Sequence, residues 1–205
     1  MPAHAWFVFL LASIAICLAP GPDMLFVVSS SSRGGARAGL DAVRGITTAM
    51  TLHVGAAALG LSALFAASAT AFNALRIAGA IYLVWLGLSA LRGKTSSPGE
   101  EFAGRDAFRR GFLTNVTNPK VIVFFAAFLP QFVVGGNGPV ALQLLVLGAT
   151  FAAIGCAFDI AIAFAAGALG ARFLRSARTV RLLDAVAGAV MIVLGLELVA
   201  EPQRT

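Results

Sequence analysis

The chain has 205 residues, 59% of them hydrophobic and only 12% charged, with a mean hydropathy of +0.90. A soluble domain is about 45–50% apolar and about 25% charged, so this chain has too little polar material to cover a soluble surface, and a membrane protein remains as the class. The net charge of +6 does not mark nucleic-acid binding, because the basic residues cluster between apolar segments, as topology signals do.

About 20 apolar residues cross about 30 Å of hydrocarbon. Reading between the charged clusters predicts six spans, at roughly 6–30, 45–66, 71–91, 111–134, 140–168 and 182–200. Met1 to Ala5 carries no Lys or Arg and the apolar run continues to Ser32, so the first segment reads as a retained span rather than a signal peptide. It is interrupted by Ala19-Pro20-Gly21-Pro22-Asp23. A proline inside a helix removes a donor and clashes with the preceding turn, so the helix must open there. Within a membrane the freed backbone groups are tolerated only where they line a cavity or are buried in protein. Asp23 then falls in the first turn of the next half-helix, where free N–H groups and the positive helix end suit a carboxylate. Two roles stand open for it: a helix cap, or a group that binds substrate or a proton.

The first connection holds Arg33, Arg37 and Arg44, and the second span carries His53 nine residues further on. The titration range of histidine suits proton exchange; interhelical hydrogen bonding is its other role. The apolar stretch from Gly45 to Leu91 is too long for one span and is divided at Ser68–Asn73. A polar linker, 92–110, follows with Arg92, Lys94, Arg105, Arg109, Arg110 and a Ser96-Ser97-Pro98-Gly99 hinge. Its Gly93-Lys94-Thr95 lacks the glycine spacing and the strand context of a phosphate loop.

The fourth span has its own break at Asn118-Pro119-Lys120, and Pro130-Gln131 predicts a further bend. Asn118 can both donate and accept. Lys120 either bridges to Asp23 or meets a substrate carboxylate, since removing either partner would leave a buried charge in both cases. The fourth connection, Gly135 to Pro139, has no charge. In the fifth span Asp159 lies thirteen residues before Arg172, hence about 20 Å into the membrane; a carboxylate that changes protonation and a salt bridge to Lys120 are its two readings. The fifth connection carries Arg172, Arg175, Arg178 and Arg181. Asp184 reads as a surface pair with Arg181, and Glu197 as an outer-interface residue.

Apart from Arg76, Lys120 and Arg204, every Lys and Arg falls in an odd-numbered connection. Those connections are predicted to be cytoplasmic and both termini to face outward. Three spans on each side of the linker make the second half (111–205) inverted relative to the first (1–91). Asp23 lies ten residues before Arg33 and Lys120 ten after Arg110, so at 1.5 Å per residue both breaks are predicted about 15 Å deep, near the midplane. The expected fold is an all-α membrane protein: a single domain of six transmembrane helices in two inverted three-helix repeats, with the first and fourth helices broken. Glycines at 55, 60, 79, 87, 148, 155, 167, 188 and 195 suit close helix packing. Cys17 and Cys156 show no metal or disulfide spacing and read as packing residues.

The ordered set Ala19-Pro20-Gly21-Pro22-Asp23-Met24, Gly34-Gly35-Ala36-Arg37-Ala38-Gly39-Leu40, Asn115-Val116-Thr117-Asn118-Pro119-Lys120 and Phe128-Leu129-Pro130-Gln131-Phe132 resembles the LysE/RhtB family of amino-acid exporters. The resemblance covers nearly the whole chain in motif order and hydropathy. It implies a bacterial inner-membrane protein that exports amino acids by exchange with protons, often as a dimer, and not an enzyme. Many relatives carry Asn where this chain has Asp23, a departure that bears on substrate or coupling.

The resulting expectation is secondary active efflux. Pro20, Gly21, Pro22, Asp23, Asn118, Pro119 and Lys120 form the substrate site, and Asp23, Asp159 and His53 carry protons. The partners are an amino acid, protons, the lipid bilayer and a second copy, without nucleic acid, and no cofactor or metal is expected. A metal-ion exporter would use Asp23, His53 and Asp159, which lack supporting ligands at i+3 or i+4. A transmembrane thiol oxidoreductase would use Cys17 beside Pro20, but the second break has no cysteine.

Overall fold

A computed structural model of the chain describes residues 3–92, 106–169, 181–182, 185–186, 188–193 and 196. Much of the predicted linker, fifth connection and sixth span, including Lys94, Arg105, Arg172, Arg175, Arg178, Asp184, Gly195 and Glu197, lies outside the described residues. Among the described residues every regular element is a helix, as the all-α reading expects.

The first apolar segment is split at the proline pair. Helix α1 (Ala3–Leu18) stops before Pro20, and α2 (Pro22–Ala56) opens on Pro22 with Asp23 in its first turn. The imino nitrogen of Pro20 cannot donate to the Ile16 carbonyl, which a continuing helix would require. Pro22 stands where a helix start needs no donor.

Helix α2 is two limbs joined at Gly35, whose φ of 73° and ψ of −179° lie in a region that favours glycine. A side chain on Gly39 would collide with Ser31. In one straight helix those residues would be about 12 Å apart, so the contact means that the chain reverses at Gly35. Met24, Phe26, Val27 and Val28 from the first limb and Ala42, Val43 and Ile46 from the second share one buried cluster, as a hairpin demands. The 43-residue apolar stretch Pro22–Leu64 is therefore a down-and-back pair. Between Arg33 and Arg44 the expected connection shrinks to a tight turn, with Arg37 and Arg44 already on the returning helix.

The returning limb continues through a π-helical turn (Ala57–Leu61) and α3 (Ser62–Ala67) to Ser68, where the backbone becomes extended. The Ser68 hydroxyl accepts the Ala71 N–H at 3.1 Å and starts α4 (Ala69–Leu91). The division expected at Ser68–Asn73 thus begins at its first residue.

Helix α5 (Ala107–Val116) is capped by Asp106, which accepts the Arg109 N–H at 3.1 Å. It ends at Thr117, and α6 (Pro119–Val123) restarts behind Asn118. The segments on either side of this break are bent by 47° and together are long and apolar enough for one span. A π-helical turn (Phe124–Phe128) and a 3-10 turn (Leu129–Phe132) complete it, the latter at the bend expected at Pro130-Gln131. After a glycine-rich loop, α7 (Val140–Leu169) runs for 30 residues. Among the described residues, Pro22–Leu64, Val140–Ala168 and the bent pair Ala107–Val116 with Pro119–Phe132 are the segments long and apolar enough to cross a membrane, with shorter apolar helices at Ala3–Leu18 and Asn73–Ser89.

Packing brings backbone against backbone. A Cβ on Gly45 would strike the Phe108 carbonyl, and one on Gly111 would strike that of Ala42, so α2 and α5 approach as closely as small residues allow. Two apolar cores result among the described residues. One centres on the fully buried rings of Phe9, Phe124, Phe128 and Phe151; the other joins the limbs of α2 to Ile162, Ala163 and Ala166 of α7. Ala19 belongs to the first core and Met24 to the second, so the proline break lies on their boundary.

Candidate functional site

The two helix breaks dock on each other through their polar residues. Asp23 is 8% exposed, and its Oδ2 accepts hydrogen bonds from Nδ2 of Asn115 at 2.9 Å and from Nδ2 of Asn118 at 2.8 Å. Asn115 comes from the last turn before the second break; Asn118 is the cap immediately after it. The Asn118 amide is used at both ends, because its Oδ1 accepts the Lys120 N–H at 3.0 Å. With a carboxylate at the start of α2, both amides donate to Oδ2 and the positive helix end favours the charge of the group as a whole. Oδ1 of Asp23 and Oδ1 of Asn115 are buried and have no hydrogen-bond partner.

Lys120 reaches in the opposite sense, from the second break to the first. Its Nζ donates to the carbonyl oxygens of Ile16 at 3.2 Å and Ala19 at 3.0 Å. The Ile16 carbonyl is the one deprived of its helical donor by Pro20. A Cβ on Gly21 would lie 3.0 Å from this Nζ and 3.4 Å from Cε, so the glycine between the prolines leaves the corridor for the lysine. Among the described residues no ion pair joins Lys120 to Asp23 or to Asp159; the pair formed is Arg44 with Asp41 at 3.0 Å. Both bridges expected of Lys120 are therefore replaced here by a cap on the negative end of α1. The physical reason is that the unwound carbonyls are nearer and lack their full helical pairing: Ile16 O keeps only a 3.3 Å bond from the Ala19 N–H besides the lysine.

His53, near the end of α2, places Nε2 3.3 Å from the Asn115 carbonyl, to which it can only donate. The same carbonyl accepts the Asn118 N–H at 3.0 Å. The imidazole stacks on Phe125, with centroids 5.7 Å apart. His53 thus meets the break through its backbone, one residue from the carboxylate. Asp159 is 9% exposed on α7 and lies close enough to interact electrostatically with both Asp23 and Lys120. Pro20 and Gly21 are buried, whereas Pro22 and Pro119 are exposed; the prolines act here on the backbone. Asn115 is the residue that reasoning on the breaks alone leaves out. Its signal is an amide one helical turn before the Asn-Pro cap, at i and i+3, where both amides can face one partner.

Such a site offers a carboxylate, two amides, an ammonium and opened carbonyls within one buried layer. Groups of this kind bind a zwitterion by complementary ends.

The family model for LysE type translocators matches residues 14–201. The chain is 36% identical to the homoserine/homoserine lactone efflux protein of Salmonella typhimurium over 149 residues, 71% of this chain and 72% of that protein. It is 32% identical to an uncharacterised membrane protein of Vibrio cholerae over 205 residues, 96% of this chain and 97% of the relative. Identity to the threonine efflux protein of Salmonella typhi is 33% over 137 residues, 62% of this chain and 66% of that one. No solved structure matches. With a translocator model spanning most of its length and relatives this similar, the chain belongs to the LysE type translocator family.

Proposed function

We propose that this chain exports amino acids or close derivatives across the bacterial inner membrane by secondary active transport coupled to protons. The observation that carries the reading is the reciprocal docking of the breaks: Asp23 on the amides of Asn115 and Asn118, and Lys120 on the carbonyls of Ile16 and Ala19. Discontinuous helices whose ends converge are how transporters build a substrate site between two halves. The efflux relatives named for homoserine and threonine support an amino-acid cargo.

In this reading the six-span, inverted-repeat architecture rocks about the breaks, with both termini outside. The substrate lies among Pro20, Gly21, Pro22, Asp23, Asn118, Pro119 and Lys120, and protonation of Asp23, Asp159 or His53 drives the return. A groove of 450 Å³ between α2 and α7, lined by Arg44, Thr47, Thr51 and Cys156, is the proposed cytoplasmic approach. Cys156 stands one turn before Asp159 on the same helix.

The test uses proteoliposomes loaded with L-homoserine or L-threonine under an imposed proton gradient. Wild type should release its load faster than Asp23→Asn, and the gradient should accelerate only the former. Equal release from the two proteins would remove Asp23 from the transport step.

A further inference from the structure

We propose that the opened carbonyls at the end of α1, Ile16 O and Ala19 O, are the subsite for a primary ammonium group of the cargo, and that Lys120 fills this subsite with its own ammonium when the carrier is empty. The proposal rests on the export reading above and assigns one end of the substrate within it.

Four observations converge. Pro20 removes the i+4 donor of the Ile16 carbonyl and leaves it a 3.3 Å bond from the Ala19 N–H, so one of its lone pairs stays free for an ammonium because of the break. Gly21 has no side chain where the Lys120 chain passes, and a Cβ there would lie 3.0 Å from Nζ. The ammonium is held at 3.2 Å and 3.0 Å by carbonyls alone, without an ion pair to Asp23 or Asp159. A cation bound by dipoles at the negative end of a helix needs no particular carboxylate, so a second –NH3⁺ of the same size suits the same acceptors. Finally, Oδ1 of Asp23, two residues beyond Gly21, is buried without a partner.

An incoming α-ammonium would take the carbonyl pair, and the displaced Lys120 would turn to Asp23 Oδ1, which is buried without a partner. A carrier returning empty would be left with under-satisfied carbonyls at the end of α1, Ile16 O keeping only the Ala19 N–H, unless Lys120 resumed its place. Lysine therefore competes with cargo during loading and replaces it during the empty return. A binding-competent state that is only fractionally populated weakens apparent affinity by that fraction, so removing the internal competitor should tighten cargo binding and obstruct the empty return.

Two fluxes separate these effects in proteoliposomes: exchange of labelled for unlabelled L-homoserine, and net efflux into amino-acid-free buffer. For Lys120→Met the ratio of exchange to net efflux should rise about tenfold or more, with a lower half-saturating concentration for exchange. Lys120→Arg, which keeps a cation, should lie between Lys120→Met and wild type. If exchange and net efflux fall together in Lys120→Met protein that is monodisperse, the lysine is a cargo contact or a structural cap and the proposal is overturned. Should that variant not fold, the wild type decides: it should exchange L-homoserine but not its N-trimethyl derivative, which has no N–H to offer carbonyls, and equal exchange of both overturns the subsite. Wild type that moves no amino acid in either assay would instead defeat the export reading.

Discussion

Asn118 performs two jobs with one amide, and the consequence can be measured. Its oxygen caps α6 through the Lys120 N–H, while its nitrogen donates to Asp23. Asn115 makes the second bond to the same carboxylate oxygen but caps nothing with its side chain. Losing a donor to a buried carboxylate costs about 1–3 kcal/mol, and losing an N-cap costs about 1 kcal/mol more. Asn118→Ala should therefore lower the thermal midpoint of purified, detergent-solubilised protein further than Asn115→Ala does. Equal midpoints would mean that the α6 cap contributes nothing. Both substitutions also expose the neighbouring layer, so each should slow efflux in the proteoliposome assay.

At the scale of elements, close backbone approach sets the tolerance to change. Gly45 and Gly111 lie where α2 crosses α5, and a Cβ on either meets a carbonyl of the other helix. Backbone cannot step aside as a flexible side chain can, so Gly45→Ala and Gly111→Ala should each destabilise by about 1–3 kcal/mol. Gly55 lies on α2 with Gly45 but has nothing within 4 Å of where a Cβ would stand; Gly55→Ala should be neutral or stabilise by about 0.5–1 kcal/mol, because alanine restricts the unfolded chain. Thermal melts of the three variants side by side check the contrast. That contrast was not legible in the amino-acid sequence, where these glycines look alike. The helix breaks were legible, because Pro20, Pro22 and Pro119 act through covalent geometry that no tertiary contact can reverse. What each break would hold was less so. Lys120 and Asp23 invite a pairing by charge alone, yet unwound carbonyls and two amides lie closer and claim them. The turn at Gly35 was obscured for a different reason: arginines that read as a loop sit on helix, and the reversal shows in the Gly35 backbone, the Ser31–Gly39 contact and the core shared by the two limbs.

For the whole molecule, the two breaks exchange opposite ends. The first supplies an anion at a helix start and carbonyls at a helix end; the second answers with amides and an ammonium. Halves related by inversion across the membrane would present their broken helices in this complementary way, and the basic clusters would set their orientation. If Arg33 to Arg44 and Arg92 to Arg110 face the cytoplasm, the uncharged loop Gly135–Pro139 must face outward. Its backbone suits a short exposed connection: Gly136 and Gly138 have φ of 76° and 95°, and Gln143 pins its base by accepting the Val134 N–H at 2.9 Å and donating to the Val134 carbonyl at 3.1 Å. A single cysteine at Asn137 or Ser97, in a Cys17→Ser, Cys156→Ser background, reads the orientation directly. A membrane-impermeant maleimide added to intact cells should label Asn137→Cys and spare Ser97→Cys until the membrane is permeabilised. The opposite pattern would invert the whole assignment, and labelling of both from outside would require an even number of crossings between them in place of the single fourth span.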